Sequence, residues 1–390
     1  MKKGIAILIA VVLVIAGIYY LMFYRGVWPA FLNTPASITD LIQTGKNPLS
    51  IPIGFKLSIY AANLSKPRTL VEDPNGVILV SDLAGALYAM PDKDHNGEAD
   101  TIKKLADNMD SPHGMALYCQ AECTLFVAET HQLSSFSYDP SQLTLSGQKV
   151  LLKLPASGGH STRSLLLLPE TKQILVSVGS SCNVCLEADP YRAAVLISDF
   201  DGQHTRVFAS GLRNSVFLKK NPLDKLIYAT DMGRDYLGDD LPPDELNVLE
   251  AGKDYGWPIC YGKNIHDVDF DHNYYFANPC SGKQAPVLEF PAHSAPLGFN
   301  FFSGDKWPAD LKGDLLVAFH GSWNRSVPTG YKLVKYEFAD GAYRNPQVFM
   351  DGWLDGSSSF GRPVDILIGS NDIFISDDHA GVVYKLTYQP

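Results

Sequence analysis

The chain has 390 residues and a formal net charge of -10, from 32 Lys and Arg against 42 Asp and Glu. Binding to a phosphate backbone needs clustered basic residues that release counterions, so this charge excludes a nucleic-acid partner. The 32 Gly, 25 Pro, 19 Tyr and 19 Phe suit many short strands joined by tight turns. The composition therefore predicts an all-β protein.

The chain begins with an apolar segment, residues 4–23, that carries no charge. A helix of this length spans about 30 Å, the thickness of the hydrocarbon core of a bilayer, and Lys2 and Lys3 predict a cytoplasmic N-terminus. We therefore predict one transmembrane helix within residues 1–25. It would anchor the chain in the inner membrane, with the catalytic domain facing the periplasm or exterior. A cleaved signal peptide is the alternative, because a basic start and an apolar run describe both.

After a predicted linker and lead-in strand, residues 26–54, six segments repeat one pattern across residues 55–390. Each has a turn and then an apolar strand that ends in a small or acidic residue, and the second residues are Ile78, Leu125, Ile174, Leu226, Leu315 and Ile373. The intervals are 47, 49, 52, 89 and 58 residues, and one blade of a β-propeller takes about 40 to 50. The sequence therefore predicts a six-bladed β-propeller with an insertion at about 241–291. Two β-sandwich domains compete, but they predict no such period.

Six cysteines follow the apolar segment, and an even number in an exported chain favours disulfides. The sequence permits many connectivities, of which the simplest joins neighbours: Cys119 with Cys123, Cys182 with Cys185, and Cys260 with Cys280. Cys182 and Cys185 form a CxxC motif, for which redox activity and metal binding are alternatives.

A second, shorter strand precedes most of the repeated strands, and basic residues mark its start. In a propeller these starts converge on one mouth of the central channel. Like charges crowded into a channel repel each other and lose hydration, so a ring of arginines predicts a polyanionic ligand on the axis. His160 follows two glycines, which leave its imidazole accessible to act as a general base. The basic residues at these starts are Arg68, His113, His160, Arg163, Arg213 and Arg362.

Seven runs carry a resemblance: GHSTRS (159–164), GLRN (211–214), DDLPPDELN (239–247), YGWP (255–258), AHSAPLG (292–298), HGSWNR (320–325) with GYK (330–332), and GR (361–362). On these runs the chain resembles the soluble glucose and sorbosone dehydrogenase family, which depends on pyrroloquinoline quinone (PQQ). The sorbosone and pyranose dehydrogenase-like branch is the nearest. The likeness covers roughly residues 50–388 and implies a six-bladed propeller that oxidises sugars.

The resemblance also implies residue roles. His160 would take the proton from a sugar hydroxyl while hydride moves to the quinone, and Arg213 and Asn214 would contact the quinone oxygens. The basic residues implied to hold its carboxylates are Arg68, Arg163, Arg325, Lys332 and Arg362. A Ca²⁺ ion is implied near Asp231, Gly233 and Arg234, held mostly by main-chain oxygens. One departure stands out, because the glucose dehydrogenase branch orients the histidine with an Asp where this chain has Ser180.

These features predict a PQQ-dependent enzyme that oxidises an aldose, a pyranose or a sorbosone-like aldehyde. Its electron acceptor is predicted to be a membrane quinone or a cytochrome. Two alternatives stay open: a Ca²⁺-dependent lactonase-type hydrolase, and a non-catalytic extracellular propeller that binds ligands. The lactonase alternative needs carboxylates where the inner strands start, and this chain has Arg and His there.

Overall fold

The computed structural model describes residues 2–19 and 37–389. Helix α1 (Lys2–Tyr19) contains most of the predicted transmembrane segment, and residues 20–23 lie outside the described part. In the described residues no helix has both the length and the apolarity needed to cross a membrane. The predicted transmembrane helix, and the inner-membrane anchoring inferred from it, are therefore not supported.

The described strands form six four-stranded antiparallel sheets, and each sheet is one blade of a β-propeller. Helix α2 (Ile38–Gln43) leads to strand β1 (Phe55–Ala61), which belongs to the last blade. The first blade has β2 (Pro67–Glu72), β3 (Ile78–Asp82), β4 (Ala86–Met90) and β5 (Lys103–Ala106). The second has β6 (Gly114–Cys119), β7 (Cys123–Ala128), β8 (Gln132–Asp139) and β9 (Thr144–Lys153). The third has β10 (Leu165–Leu168), β11 (Gln173–Val178), β12 (Ala194–Asp199) and β13 (Arg206–Ser210).

The remaining blades continue in chain order, with two small hairpins between their strands. The fourth blade has β14 (Ser215–Lys220), β15 (Ile227–Asp231) and β16 (Asp244–Val248), then the hairpin β17 (Cys260–Tyr261) and β18 (Ile265–His266), then β19 (Leu288–Phe290). The fifth has β20 (Pro296–Phe301), β21 (Leu315–Phe319), β22 (Lys332–Ala339) and β23 (Ala342–Met350). After the hairpin β24 (Leu354–Asp355) and β25 (Ser358–Ser359), the sixth has β26 (Pro363–Ile368), β27 (Asp372–Asp377) and β28 (Val382–Tyr388) with β1.

The six repeated segments are the second strands of the six blades, so the predicted six-bladed propeller is confirmed. These strands are almost entirely buried, as in β3 and β21, which explains why they read as continuous apolar runs. The innermost strand of every blade contacts the innermost strands of both neighbours, which closes the ring around the axis. The division of the chain at residues 25 and 54, and the insertion bounds 241–291, stay predictions.

The ring is joined by its ends, because β1 from the N-terminal side pairs antiparallel with β28 near the C-terminus. In this pairing Leu57 lies opposite Leu386, whose side chain is completely buried. The last blade is therefore completed by strands from both ends of the chain, so both ends contribute to the stability of the ring.

All three predicted disulfides are present: Cys119–Cys123, Cys182–Cys185 and Cys260–Cys280. The first closes the β6–β7 hairpin, and the last crosslinks the long connection between β16 and β19. The second follows β11, and because its two sulfurs are bonded to each other they are not available as metal ligands.

Replacing Leu386 by Ala is expected to lower the free energy of unfolding by about 2 to 5 kcal/mol, because the lost methyl groups leave a cavity at the ring closure. The matched control is Leu226→Ala, since Leu226 is 47% exposed and should change stability by less than about 0.5 kcal/mol. Denaturant unfolding followed by tryptophan fluorescence measures both. Equal effects of the two substitutions would contradict the importance of the closure.

Candidate active site

Buried carboxylates at the ends of the repeated strands hold the segments that lead into the inner strands. Asp231, the last residue of β15, accepts hydrogen bonds from the backbone N–H groups of Arg213 (3.0 Å) and Asn214 (2.7 Å). Asp377, the last residue of β27, accepts one from the N–H of Arg362 at 2.8 Å. The acidic residue of the repeat therefore fixes the backbone from which the side chains at the channel mouth project.

This role changes the interpretation of Asp231. Burial raises the pKa of its carboxyl group to about 7, although the N–H groups of Asn214 and Arg213 oppose the rise. Both oxygens accept hydrogen bonds, one of them also from the Ser215 hydroxyl at 3.3 Å. Its position fits a group that holds the backbone and does not fit the predicted metal ligand.

One side of the mouth is a network of Arg68, Asp378, His320, His113 and Arg362. Asp378 lies between two partners, with one oxygen 2.5 Å from Arg68 Nη1 and the other 2.8 Å from His320 Nε2. Arg68 Nη2 is 3.3 Å from His113 Nε2. Arg362 donates to the backbone carbonyl of His320 at 3.1 Å, so the network joins the first, second, fifth and sixth blades.

Burial keeps the two histidines of this network neutral. It lowers the pKa of His320 to about 4, with a further contribution from the charge of Arg362. It also lowers the pKa of His113 well below its ordinary value, assisted by the charge of Arg68. Burial alone would raise the pKa of Asp378, but interactions with His320 and Arg68 hold it far below its usual range. The network therefore contains an ionised carboxylate paired with the Arg68 guanidinium, a second guanidinium on Arg362 that donates to backbone carbonyls, and neutral imidazoles.

On the opposite side of the mouth, His160 is fixed by Ser180. Its Nδ1 lies 3.0 Å from Ser180 Oγ and 3.1 Å from the Ser180 carbonyl oxygen. Ser180 Oγ donates its own hydrogen to the carbonyl of Cys182 at 2.6 Å, so it can only accept from the imidazole. Nδ1 therefore carries the proton and Nε2 keeps a free lone pair, which is the form a general base requires.

The charges around His160 keep it unprotonated. Burial lowers the pKa of its imidazole to about 3, and the guanidinium charges of Arg213, Arg163 and Arg192 contribute in the same direction. The hydrogen bond to the Ser180 carbonyl opposes this effect. His160 is therefore neutral at all pH values near 7.

Arg213 is held by acceptors on two loops. Its Nε donates to the carbonyl oxygen of Asn183 and its Nη2 to Oδ1 of the same residue, both at 2.9 Å. Nη2 also lies 3.2 Å from Asp235. Asn214 follows, and its amide oxygen closely approaches Gly179, where a Cβ atom would lie only 2.5 Å away. The structure thus brings His160, Arg213 and Asn214 together.

Three arginines among the predicted site residues have guanidinium groups that contact other partners, and the predicted Ca²⁺ role of Arg234, which concerns its main chain, stays a prediction. The fully buried Arg163 donates to the carbonyls of His160, Thr162 and Pro155, which fits a brace for the loop before β10 and not a ligand. Arg325 donates to the Asp239 carbonyl and pairs with Asp240 at 2.9 Å. Arg234 pairs with Asp267 at 2.6 Å. The sequence identified these residues as part of the site, but it did not predict which groups they contact.

Two other predicted residues, Lys332 and Gly233, each have a polar group that could bind a ligand. Lys332 pairs in β22 with Phe319, the residue before His320, and its ammonium has no ion pair within the described residues. The N–H of Gly233 donates to Asp244 at 2.8 Å, and no hydrogen bond from another described residue reaches the Gly233 carbonyl oxygen.

Sequence reasoning missed several residues that shape the site: Asn183, Arg192, Asp235, His320 and Asp378. Two signals were present in the sequence. His320 opens the HGSWNR run, and Asp378 follows the acidic end of a repeated strand. The contacts of Asn183 and Arg192 depend on how neighbouring loops fold, so no local pattern marks them.

Comparison with known proteins agrees with this architecture. The TrAA12-like family model matches residues 49–389. The chain belongs to this family. An uncharacterized protein of Borreliella burgdorferi is 32% identical over 371 residues, which cover 91% of this chain and 94% of that protein. The PQQ-dependent pyranose dehydrogenase of Coprinopsis cinerea is 24% identical over 330 residues, 73% of this chain but only 44% of that enzyme.

Solved structures share the fold of this TrAA12-like chain. The holo form of the pyranose dehydrogenase PQQ domain from Coprinopsis cinerea has a TM-score of 0.74 at 20% identity, covering 87% of this chain and 97% of that one. The PQQ-bound aldose sugar dehydrogenase of Streptomyces coelicolor has a TM-score of 0.63 at 18% identity, with 87% and 99% covered. The family resemblance inferred from the seven sequence runs is confirmed.

We expect the imidazole of His160 to stay neutral until the pH falls to about 3, because burial and three nearby guanidinium groups oppose its protonation. Histidine ¹⁵N chemical shifts recorded as a function of pH measure the midpoint and the tautomer. In Arg213→Gln the midpoint should rise, since one of those positive charges is lost. A wild-type midpoint near the ordinary histidine value would contradict the buried position of His160.

Proposed function

We propose that this chain is a PQQ-dependent sugar dehydrogenase that oxidises an aldose, pyranose or sorbosone-like sugar with His160 as the general base. The observation that carries the proposal is the neutral His160, with its Nε2 lone pair free, beside Arg213 in a mouth rich in guanidinium groups. The names of two relatives, a PQQ-dependent pyranose dehydrogenase and a PQQ-dependent sugar dehydrogenase, give independent support.

The unpaired donors at the mouth fit a polyanionic cofactor. The Nε of buried Arg68 has no hydrogen-bond partner, and Lys332 has no ion pair among the described residues. Arg362 uses Nε and Nη2 for carbonyl oxygens, which leaves Nη1 without a described partner. These three residues would hold the carboxylates of PQQ, and Arg213 and Asn214 would contact its quinone oxygens.

The segment around Gly233 fits a hard cation in part. Ca²⁺ prefers oxygen ligands, and the Gly233 carbonyl oxygen has no hydrogen bond from the described residues. We therefore assign main-chain oxygens of Gly233 and its neighbours as Ca²⁺ ligands, without the side chains of Asp231 and Arg234. When bound, the quinone accepts hydride and Ca²⁺ acts as a Lewis acid beside it.

Two residues of this chain would act directly on the sugar, His160 as the proton acceptor and Arg213 as a positive charge. His160 Nε2 receives the proton of the hydroxyl group that is oxidised, while the bond from Nδ1–H to Ser180 keeps the ring oriented. Arg213 places a positive charge where negative charge develops. An anion bound beside Arg213 would offset one of the charges that lower the His160 pKa, so cofactor binding would make the base stronger.

The compartment and the electron acceptor follow from the chemistry. Three disulfides favour an oxidising compartment, so we place the chain in the periplasm or outside the cell. A reduced cofactor must be reoxidised before the next turnover, and a quinone or a cytochrome of that compartment is the acceptor that we propose.

Titrating the apo protein with PQQ and Ca²⁺ is expected to give a spectral change, and the loaded protein should reduce an artificial dye with at least one aldose. His160→Ala should keep the spectral change and lose about 100- to 10,000-fold in kcat, because only the base is removed. Full activity of His160→Ala would remove the residue from this role. A wild-type protein with neither spectral binding nor turnover would refute the proposed function.

The same preparations separate the alternatives. Hydrolysis of lactones by the Ca²⁺-loaded protein without PQQ would favour a lactonase-type hydrolase. Ligand binding with no turnover on any sugar or lactone would favour a non-catalytic propeller.

Arg362→Gln and Lys332→Gln are each expected to raise the Kd for PQQ about 10- to 100-fold, because each removes a charged partner of a carboxylate. Absorbance titration measures the Kd without any substrate. The matched control is Arg206→Gln, since Arg206 lies exposed on the outer strand β13 and should leave the Kd unchanged. Similar changes in all three variants would argue against a specific carboxylate site.

A further inference from the structure

The loop closed by the Cys182–Cys185 disulfide, residues 182–185, lies between the two groups proposed to act on the sugar. We call it the CxxC loop. Nothing in the proposed mechanism uses it, yet it contacts the partner of His160 on one side and Arg213 on the other.

On the His160 side, the CxxC loop makes its contact through the backbone carbonyl group of Cys182. The Cys182 carbonyl accepts the hydrogen of Ser180 Oγ at 2.6 Å, and this bond turns the oxygen lone pair of Ser180 towards His160 Nδ1. Without that acceptor, the Ser180 hydroxyl could rotate and donate to Nδ1. It would then oppose the Ser180 carbonyl oxygen, which holds the Nδ1–H at 3.1 Å, and would shift the ring towards the tautomer in which Nε2 carries the proton and cannot act as a base.

The contact on the Arg213 side is made by Asn183. Its carbonyl oxygen and its Oδ1 each accept one hydrogen bond from Arg213, from Nε and Nη2, both at 2.9 Å. Two parallel acceptors fix the plane of a guanidinium group. The side chain of Asn183 is itself held by Asp235, through the N–H of that residue at 2.8 Å and its carbonyl at 3.1 Å. Because Asn183 is neutral, it orients Arg213 without cancelling its charge.

The disulfide is the covalent restraint on this loop, and side-chain contacts supply the others. Among the described residues, the N–H groups of residues 182–188 make no backbone–backbone hydrogen bond. Ser181, the residue just before the CxxC loop, is held by the Glu187 carboxylate. This group accepts hydrogen bonds from the Ser181 N–H at 2.6 Å and from the Ser181 hydroxyl at 2.8 Å. The CxxC loop therefore has no regular secondary structure to keep its shape.

Close packing transmits the position of this segment to His160. At Gly159, which has a φ of +49°, a Cβ atom would lie 2.4 Å from the Ser180 carbonyl oxygen, so the backbone before His160 lies directly against Ser180. The His160 N–H also donates to that carbonyl at 3.0 Å. A shift at Ser180 would thus move both the backbone and the imidazole of His160.

We propose that the disulfide-closed CxxC loop is a positioning element for both His160 and Arg213, taking the place of the carboxylate that is absent at Ser180. This inference rests on the proposed function, because it names what orients the two acting groups of that site. Asn183 is its positioning residue for Arg213, and the Cys182 carbonyl is its positioning group for His160.

The first test compares two double variants of the whole chain. Cys182→Ser/Cys185→Ser opens the CxxC loop, whereas Cys119→Ser/Cys123→Ser removes the disulfide of the β6–β7 hairpin and is the matched control. We expect the first to lose about 10- to 100-fold in kcat with little change in KM, because the acting groups lose their alignment. The control should keep the wild-type kcat.

A second readout needs neither cofactor nor substrate. In the apo protein, the ¹⁵N titration midpoint of His160 should rise when the CxxC loop is opened, because the imidazole gains water and the guanidinium of Arg213 is no longer held near it. The control variant should keep the wild-type midpoint. An unchanged midpoint and unchanged kcat in Cys182→Ser/Cys185→Ser would overturn the proposal, as would equal losses in both double variants.

Single variants keep the disulfide and test Asn183 alone. Asn183→Ala removes one of the two acceptors of Arg213 and should lower kcat, while Asn183→Asp restores the acceptor but adds a charge. We expect Asn183→Asp to bind PQQ more weakly than Asn183→Ala, because its carboxylate faces the anionic cofactor. Wild-type kcat in Asn183→Ala would overturn the role of this residue. Absence of turnover in the wild-type holoenzyme would refute the proposed function, and the His160 titration would still test the loop.

Discussion

Asp231 and Asp377 each accept backbone N–H groups of a segment that leads into an inner strand, and the site depends on this interaction. A buried carboxylate that receives such bonds is costly to remove, because its N–H partners would be left unpaired in the interior. The repeat that builds the blades therefore also sets the backbone of Arg213 and Arg362. The fold and the positions of its charged groups come from the same residues.

The mouth concentrates positive charge while its histidines stay neutral. Arg213, Arg163 and Arg192 surround His160, and Arg68 and Arg362 act on the histidines of the opposite side. In the part of the chain that the structure describes, Asp378 forms an ion pair with Arg68, and Asp235 forms one with Arg213. The positive charge of these arginines is only partly neutralised by the protein, and a bound anion would neutralise more of it. The electrostatics of the mouth therefore favour the anionic cofactor that we propose.

The sequence was sufficient for the blade repeat, five of the six inner-strand starts and the disulfide pairs, because each rests on local periodicity or near spacing. It failed where a side chain's partner is distant in the chain. Arg68 pairs with Asp378, which lies 310 positions away, and no sequence pattern near Arg68 predicts this partner. Arg163 and Arg325 resemble ligands by position, yet their terminal guanidinium nitrogens donate to carbonyls or pair with carboxylates of neighbouring loops. The apolar N-terminal run likewise predicted a spanning helix that the described residues do not contain.

The pairing of β1 with β28 has a consequence for how the protein is made. Arg68 lies in the first complete blade and Asp378 in the last, so their ion pair forms only after nearly the whole chain has left the ribosome. Contacts between such distant residues form slowly, because a long loop must close first. Until then the guanidinium group of Arg68 lacks its carboxylate partner. The nascent chain therefore lacks the assembled channel mouth, so the quinone that we propose as cofactor can bind only to the finished molecule.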